Sequence, residues 1–216
     1  MVDYEKNYNM SLVYKALSWI ISIIFHPLIY AVLGSFVVLY MLPYYREFNI
    51  SYTYQFLRFT FLLTYILPLI VAPLYYIILK LTKQVASSHH QRLFLLISTT
   101  IIYVFSYRII SKIGFFDIVS LYILLCCILM LVSFGITYFW KISLHMIGIG
   151  GFTGFILGLC IAHHYSVTIL LPFCFLIAGI VGTARLYLNS HTSSQIYIGY
   201  GVGFITSVIF MLIFII

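Results

Sequence analysis

Apolar tracts close to the length of a bilayer-crossing helix alternate with short polar breaks along almost the whole chain. A bilayer core takes roughly 20 apolar residues per helix. On that measure the tracts predict spans at residues 27–45, 57–80, 93–110, 117–139, 145–162, 167–187 and 196–216. Before the first span, residues 10–26 alternate polar and apolar positions at helical spacing, which predicts an interfacial helix. His26-Pro27 marks its junction with span one, where proline suits a first helical turn. Pro68 and Pro73 should kink span two, and Trp140-Lys141 should close span four at a membrane interface. The expected fold is all-α: a polytopic transmembrane helical bundle of about seven spans, forming a single membrane domain over 1–216 with no separate soluble domain.

An odd count of spans has a consequence for the polar breaks. Seven spans return the ends of spans two, four and six to the face that carries the N-terminus, so segments 80–92, 140–145 and 185–195 should meet there. They hold Lys80, Lys83, Arg92, Lys141 and Arg185, together with His89, His90, His145 and His191. The opposite face holds Arg46, Arg58, Arg108 and Lys112 and almost no histidine near a helix start. Seven of the eleven Lys and Arg fall on the first face, which points to a cytoplasmic face unless some of them are ligands. Gly150, Gly154 and Gly158 in span five, and Gly199 and Gly203 in span seven, recur at four-residue spacing and should let helix backbones approach closely.

Composition sets the solvent and removes several classes of function. With 64% apolar and 7% charged residues the chain is far from the mix of a soluble domain, so lipid is its expected surrounding. The formal charge of +7 suits anionic headgroups or an anionic substrate, or is ordinary charge that anchors helices. Asp3 and Glu5 beside Lys6, and an apolar tract running on to Leu42, argue against a cleaved signal peptide. Cys126, Cys127, Cys160 and Cys174 all lie in apolar tracts and read as small buried hydrophobes, without a disulfide framework or zinc site.

The only acids are Asp3, Glu5, Glu47 and Asp117, too few and too scattered for glycoside hydrolysis, a calcium cage or a proton-coupled carrier. The adjacent pairs His89-His90 and His163-His164 point to different sides of a helix and read as interfacial polar residues rather than metal ligands. GIGGFTG lies in an apolar helix with no strand before it, which argues against a nucleotide loop. The many Tyr and Phe fit interface belts better than nucleic-acid stacking. No cofactor, no metal and no nucleic-acid partner are expected.

Histidine beside arginine and lysine at helix mouths is chemistry suited to phosphate. Asn189 or Ser190 can cap span seven and place His191 in its first turn, where free N–H groups favour an anion. Ser143 can cap span five in the same way, bringing His145 to that end. A neutral histidine can attack phosphorus while a second protonates the leaving oxygen, with fixed cations stabilising the transferring group.

These segments resemble degenerate forms of the three motifs of the type 2 phosphatidic acid phosphatase superfamily, KxxxxxxRP, PSGH and SRxxxxxHxxxD. The third reads ARLYLNSHTSSQ here, aligning Arg185 and His191, and the second reads ISLH, aligning Ser143 and His145. In the first, Arg92 is followed by Leu93 rather than proline and the lysine position is Val85, so that Lys83 or Lys80 would serve from a shifted register. The segments HPLIY, SLHMIGIGGFTG and GTARLYLNSHTSSQIYIGYGVGF also resemble a subgroup of small membrane proteins of this superfamily in Bacteroidetes-type bacteria.

The resemblance implies a phosphatidic acid phosphatase-like core in a cell inner membrane. It also implies metal-independent hydrolysis of a phospholipid or isoprenoid phosphate through a phosphohistidine. His191 would attack, His145 would protonate the departing alcohol, and Arg92, Arg185 and Ser143 would hold the phosphate, with Lys83 and Lys141 as further basic candidates. The aspartate that orients the nucleophilic histidine in the family is Gln195 here, an amide that accepts a hydrogen bond but brings no charge. Two other classes stay open: a catalytically impaired lipid-binding or membrane assembly protein, and a small carrier or flippase.

Overall fold

The computed structural model describes residues 2–42, 49–83, 87–114, 117–163 and 166–214. Arg46, Glu47, Val85 and His164 lie outside the described residues, as do the side chains of Asp3, Glu5, Lys6 and His163. The elements are α1 (Val2–Ile24), α2 (Ile29–Met41), α3 (Ile50–Phe61), α4 (Leu67–Leu81), α5 (Ser88–Ser111), α6 (Asp117–Phe139), α7 (Leu144–His163), α8 (Leu170–Tyr187) and α9 (Ser193–Phe214). A π-helical turn, Leu62–Ile66, joins α3 to α4, and a 3₁₀ turn, Ser166–Ile169, leads into α8. Among the described residues there is no strand.

Among the described residues six helical stretches are long and apolar enough to cross a membrane, or seven if the bent pair Leu12–Ile24 and Ile29–Met41 counts as one broken span. The architecture is that of a multi-pass helical membrane bundle. Its outer faces are correspondingly apolar: Ile50, Leu81, Phe139 and Tyr197 are all largely exposed.

Two breaks in the first third of the chain have local causes. Asn49 accepts a hydrogen bond from the Ser51 amide at 2.9 Å and starts α3 well ahead of residue 57. Further on, Pro68 has no N–H to offer the Thr64 carbonyl. The helix widens into the π turn just before it, with the Leu67 N–H bonded to Leu62 O. The freed Thr64 carbonyl accepts instead from the Tyr103 hydroxyl of α5 at 3.0 Å, in a fully buried position.

The α1–α2 junction turns by 55°. Pro27 sits inside this turn rather than in a first helical turn, and Ile29 N–H closes it onto His26 O at 2.9 Å. On α1, Tyr14 meets the Tyr187 ring at 6.2 Å while Ser22 reaches Arg185 at 3.3 Å. Tyr14, Leu17 and Ile21 face α8 from Phe175 to Tyr187, so α1 lies alongside that helix.

The most extensive packing joins α7 to α9. A Cβ added at Gly150 or Gly154 would strike the carbonyl of Tyr200 or Phe204, and one at Gly203 would strike Ile147 O and lie 2.8 Å from Gly151 N. The glycines therefore bring main chain against main chain. Beside this pair, Tyr122 of α6 lies over Gly34 of α2 and donates its hydroxyl to Tyr30 O at 2.6 Å. Tyr122, Phe155, Ile123 and Leu125 are fully buried and form the centre of the bundle.

Candidate functional site

Two helices, α5 and α6, separate Arg92 from Ile142, and two more, α7 and α8, separate His145 from Arg185. The three polar breaks therefore come to one end of the bundle. Arg92, in the second turn of α5, donates its Nη2 hydrogen to the Ile142 carbonyl ahead of α7. Ser143 N–H donates to the Gln195 carbonyl at 3.4 Å, which ties the start of α7 to the first turn of α9. Between them lies a cavity of about 300 Å³ whose polar lining includes Arg92, His145, Arg185 and His191, with Leu69, Ala72, Leu95, Leu96 and Met130 among its apolar lining. Among the described residues none of its lining is acidic.

The α8–α9 connection places His191. Asn189 adopts a left-handed conformation (φ 51°) and ends α8, with Ser190 N–H bonded back to Arg185 O at 3.2 Å. The cap of α9 is Thr192, not Asn189 or Ser190, so His191 sits just before the first turn rather than within it. Thr192 Oγ1 accepts from Gln195 N at 3.4 Å while Gln195 Oε1 accepts from Thr192 N at 3.2 Å, a reciprocal capping box. That second bond fixes the amide orientation, and the same Oε1 lies 3.0 Å from His191 Nδ1. The ring must donate there, which leaves the Nε2 lone pair of His191 free.

Burial of the His191 ring lowers its pKa from 6.5 to about 4. The Gln195 hydrogen bond opposes the shift, and the charges of Arg185, Arg92 and Lys141 reinforce it. The ring is thus neutral at pH 7, the state a nucleophile needs. A ring titration followed by NMR should give a midpoint near pH 4 for His191. Because the unfolded chain takes up this proton at higher pH than the folded one, the neutral ring's contribution to stability is complete above pH 6.5. It should fall away as pH drops toward 4.

His145, in the first turn of α7, places Nε2 at 3.0 Å from the Ser22 carbonyl. A carbonyl only accepts, so this nitrogen carries the proton and Nδ1 is left free. Ser22 also accepts from Arg185 Nη1 at 3.3 Å while donating its hydroxyl to Ser18 O at 2.8 Å. One residue of α1 therefore orients two groups of the cavity.

Three buried donors in this region have no partner: Arg92 Nε, Arg185 Nε and the Ser143 hydroxyl. Ser143 stands at the predicted cap position of α7, but its hydroxyl makes no cap bond; its carbonyl accepts from Ile147 N–H at 3.0 Å. Each such donor costs about 1–3 kcal/mol when left unbonded; the two arginine donors belong to residues of the cavity lining, where an anion would satisfy them, whereas Ser143 does not line it.

Of the residues expected from sequence, Arg92, Arg185, His145 and His191 line the cavity, and Ser143 and Gln195 stand behind it. Lys83 and Lys141 are exposed and do not line it, although Lys141 is near enough to act on His191. His89 and His90 are exposed at the start of α5, where Ser87 caps the helix by accepting from His90 N–H at 3.3 Å. Sequence reading missed Ser22 and His26, both from the α1–α2 segment. The available signal was a polar pair inside an apolar tract next to the one His-Pro dipeptide of the chain. No family model, curated protein or solved structure matches the chain.

Proposed function

We propose that this is a phosphatidic acid phosphatase-like protein of a bacterial inner membrane that binds a phospholipid or isoprenoid phosphate in this cavity. It hydrolyses that phosphate through a phosphohistidine. The observation that carries the reading is the convergence of two arginines and two histidines around partnerless buried donors, with an apolar wall alongside. A free anion needs only the first half of that arrangement; the wall suits a lipid tail.

In the reaction, His191 Nε2 attacks phosphorus and the P–O bond to the lipid breaks. His145, carrying a second proton at Nδ1 while Nε2–H stays on the Ser22 carbonyl, gives that proton to the leaving oxygen. Water then attacks phosphorus and the N–P bond breaks, the water's proton returning to His145 Nδ1 as inorganic phosphate departs. Arg92 and Arg185, which line the cavity, hold the phosphate oxygens, as preorganised donors do for developing charge.

Gln195 favours a second reading, a lipid-phosphate binder with little turnover. Its amide fixes the His191 tautomer but supplies no negative charge to the phosphoimidazolium. The two readings separate in one experiment: the purified protein is incubated with dioctanoyl phosphatidic acid carrying ³²P, and with a short isoprenyl diphosphate labelled likewise. Acid-labile label on His191 with release of inorganic phosphate is the expected result. Saturable binding without label or release leaves the binder, and the absence of both overturns the two readings together.

A further inference from the structure

The bend between α1 and α2 brings a third histidine to the cavity. His26 is part of its lining, with its ring edge-on to His145 at 6.0 Å and to Tyr65 of the π turn at 6.5 Å. The backbone fixes its tautomer: Leu28 N–H points at His26 Nδ1 at 3.4 Å, so Nδ1 accepts and the proton of the neutral ring lies on Nε2. Among the described residues that Nε2–H has no hydrogen-bond partner. Nothing in the reaction as derived above employs it.

We propose that His26 is a phosphate-binding residue, donating Nε2–H to a non-bridging oxygen of the phosphate held by Arg92 and Arg185. This rests on the lipid-phosphate reading and adds to it a ligand from the N-terminal part of the chain. The chemistry favours a neutral donor at this point. Two guanidinium groups already balance a phosphate dianion and His145 brings the one further proton the leaving group takes, so another cation beside them would only add repulsion in a cavity with no described acid in its lining. His145 does not supply the same bond, since its Nε2–H is committed to the Ser22 carbonyl and its Nδ1 proton goes to the leaving oxygen. His26 thus completes the donor set without adding charge.

The full-length protein in detergent tests this, by calorimetric titration with dioctanoyl phosphatidic acid and with dioctanoylglycerol as the phosphate-free control. His26→Phe keeps a ring against His145 and Tyr65 but removes the donor, and His26→Gln restores one. The Phe variant should bind phosphatidic acid about ten-fold or more weakly, as expected for losing a hydrogen bond to a charged group. Binding of dioctanoylglycerol should be unchanged, and the Gln variant should recover part of the loss. Undiminished phosphatidic acid binding by His26→Phe would overturn the assignment while leaving the lipid-phosphate reading intact. So would equal losses for both ligands in both variants, the mark of a packing role. A wild-type protein that does not prefer the phosphorylated lipid removes the reading and the assignment together. Should the Phe variant fail to fold, wild-type protein labelled with ¹⁵N-histidine decides: the His26 Nε2 resonance moves when phosphatidic acid is added, or the assignment is wrong.

Discussion

Replacing Gln195 with Asp is expected to raise the rate of phosphate release from a lipid phosphate by a factor on the order of 10² to 10⁴, by analogy with the cost of an amide in place of the acid of a serine protease triad. The frame for this gain is already built. Gln195 Oε1 accepts from His191 Nδ1 and from Thr192 N–H, so His191, the proposed nucleophile, has its tautomer and lacks only a compensating charge. A carboxylate at this position can keep the cap, and its charge is favoured at a helix N-terminus. It would stabilise the imidazolium that forms when Nε2 bonds to phosphorus. The measurement is phosphate release from dioctanoyl phosphatidic acid in mixed micelles. His191→Ala in the Gln195→Asp background should return the rate to baseline. A Gln195→Asp protein that is folded and binds the lipid, yet gains nothing, would leave the binder as the function of this site.

The second large effect concerns the scaffold. Gly203→Val should destabilise the protein by about 3 kcal/mol or more, near the upper end of overpacking effects, because the atoms in the way are Ile147 O and Gly151 N. Main chain cannot rotate aside as a side chain can, so α7 and α9 would have to separate. Gly201→Val, on the same helix with nothing within 4 Å of the added Cβ, should shift the unfolding temperature little. Thermal unfolding in detergent, followed by circular dichroism, compares the two directly. Equal stability of the variants would mean that the α7–α9 contact is not a close backbone contact.

The sequence revealed the parts of this site that depend on order along the chain. Arg185 and His191 stand out because a polar break interrupts two apolar tracts, and the even number of helices between breaks puts Arg92, His145 and Arg185 at one end. The share of Ser22 and His26 depends instead on the direction from which α1 approaches the His26-Pro27 turn, a tertiary arrangement that periodicity does not encode. The cap of α9 was readable as T-x-x-Q in Thr192–Gln195, but Asn189 and Ser190 are equally good cap types. What decides between them is that Asn189 is used in a left-handed conformation to finish α8. Likewise the early start of α3 rests on Asn49, ahead of a stretch, ISYTYQ, too polar to announce a span.

The two sides of the cavity differ in how firmly the bundle holds them. Arg185 and His191 hang from the ends of α8 and α9, and α9 is locked to α7 through glycine and through the Ser143–Gln195 bond. Leu69 and Ala72 belong to the Ile50–Leu81 stretch, of whose most apolar window only 11% is buried. A molecule entering here would meet a stiff pole for its head and a compliant wall for its tail. On the lipid-phosphate proposal, selection on those terms would be strict about phosphate geometry and lenient about chain length and branching.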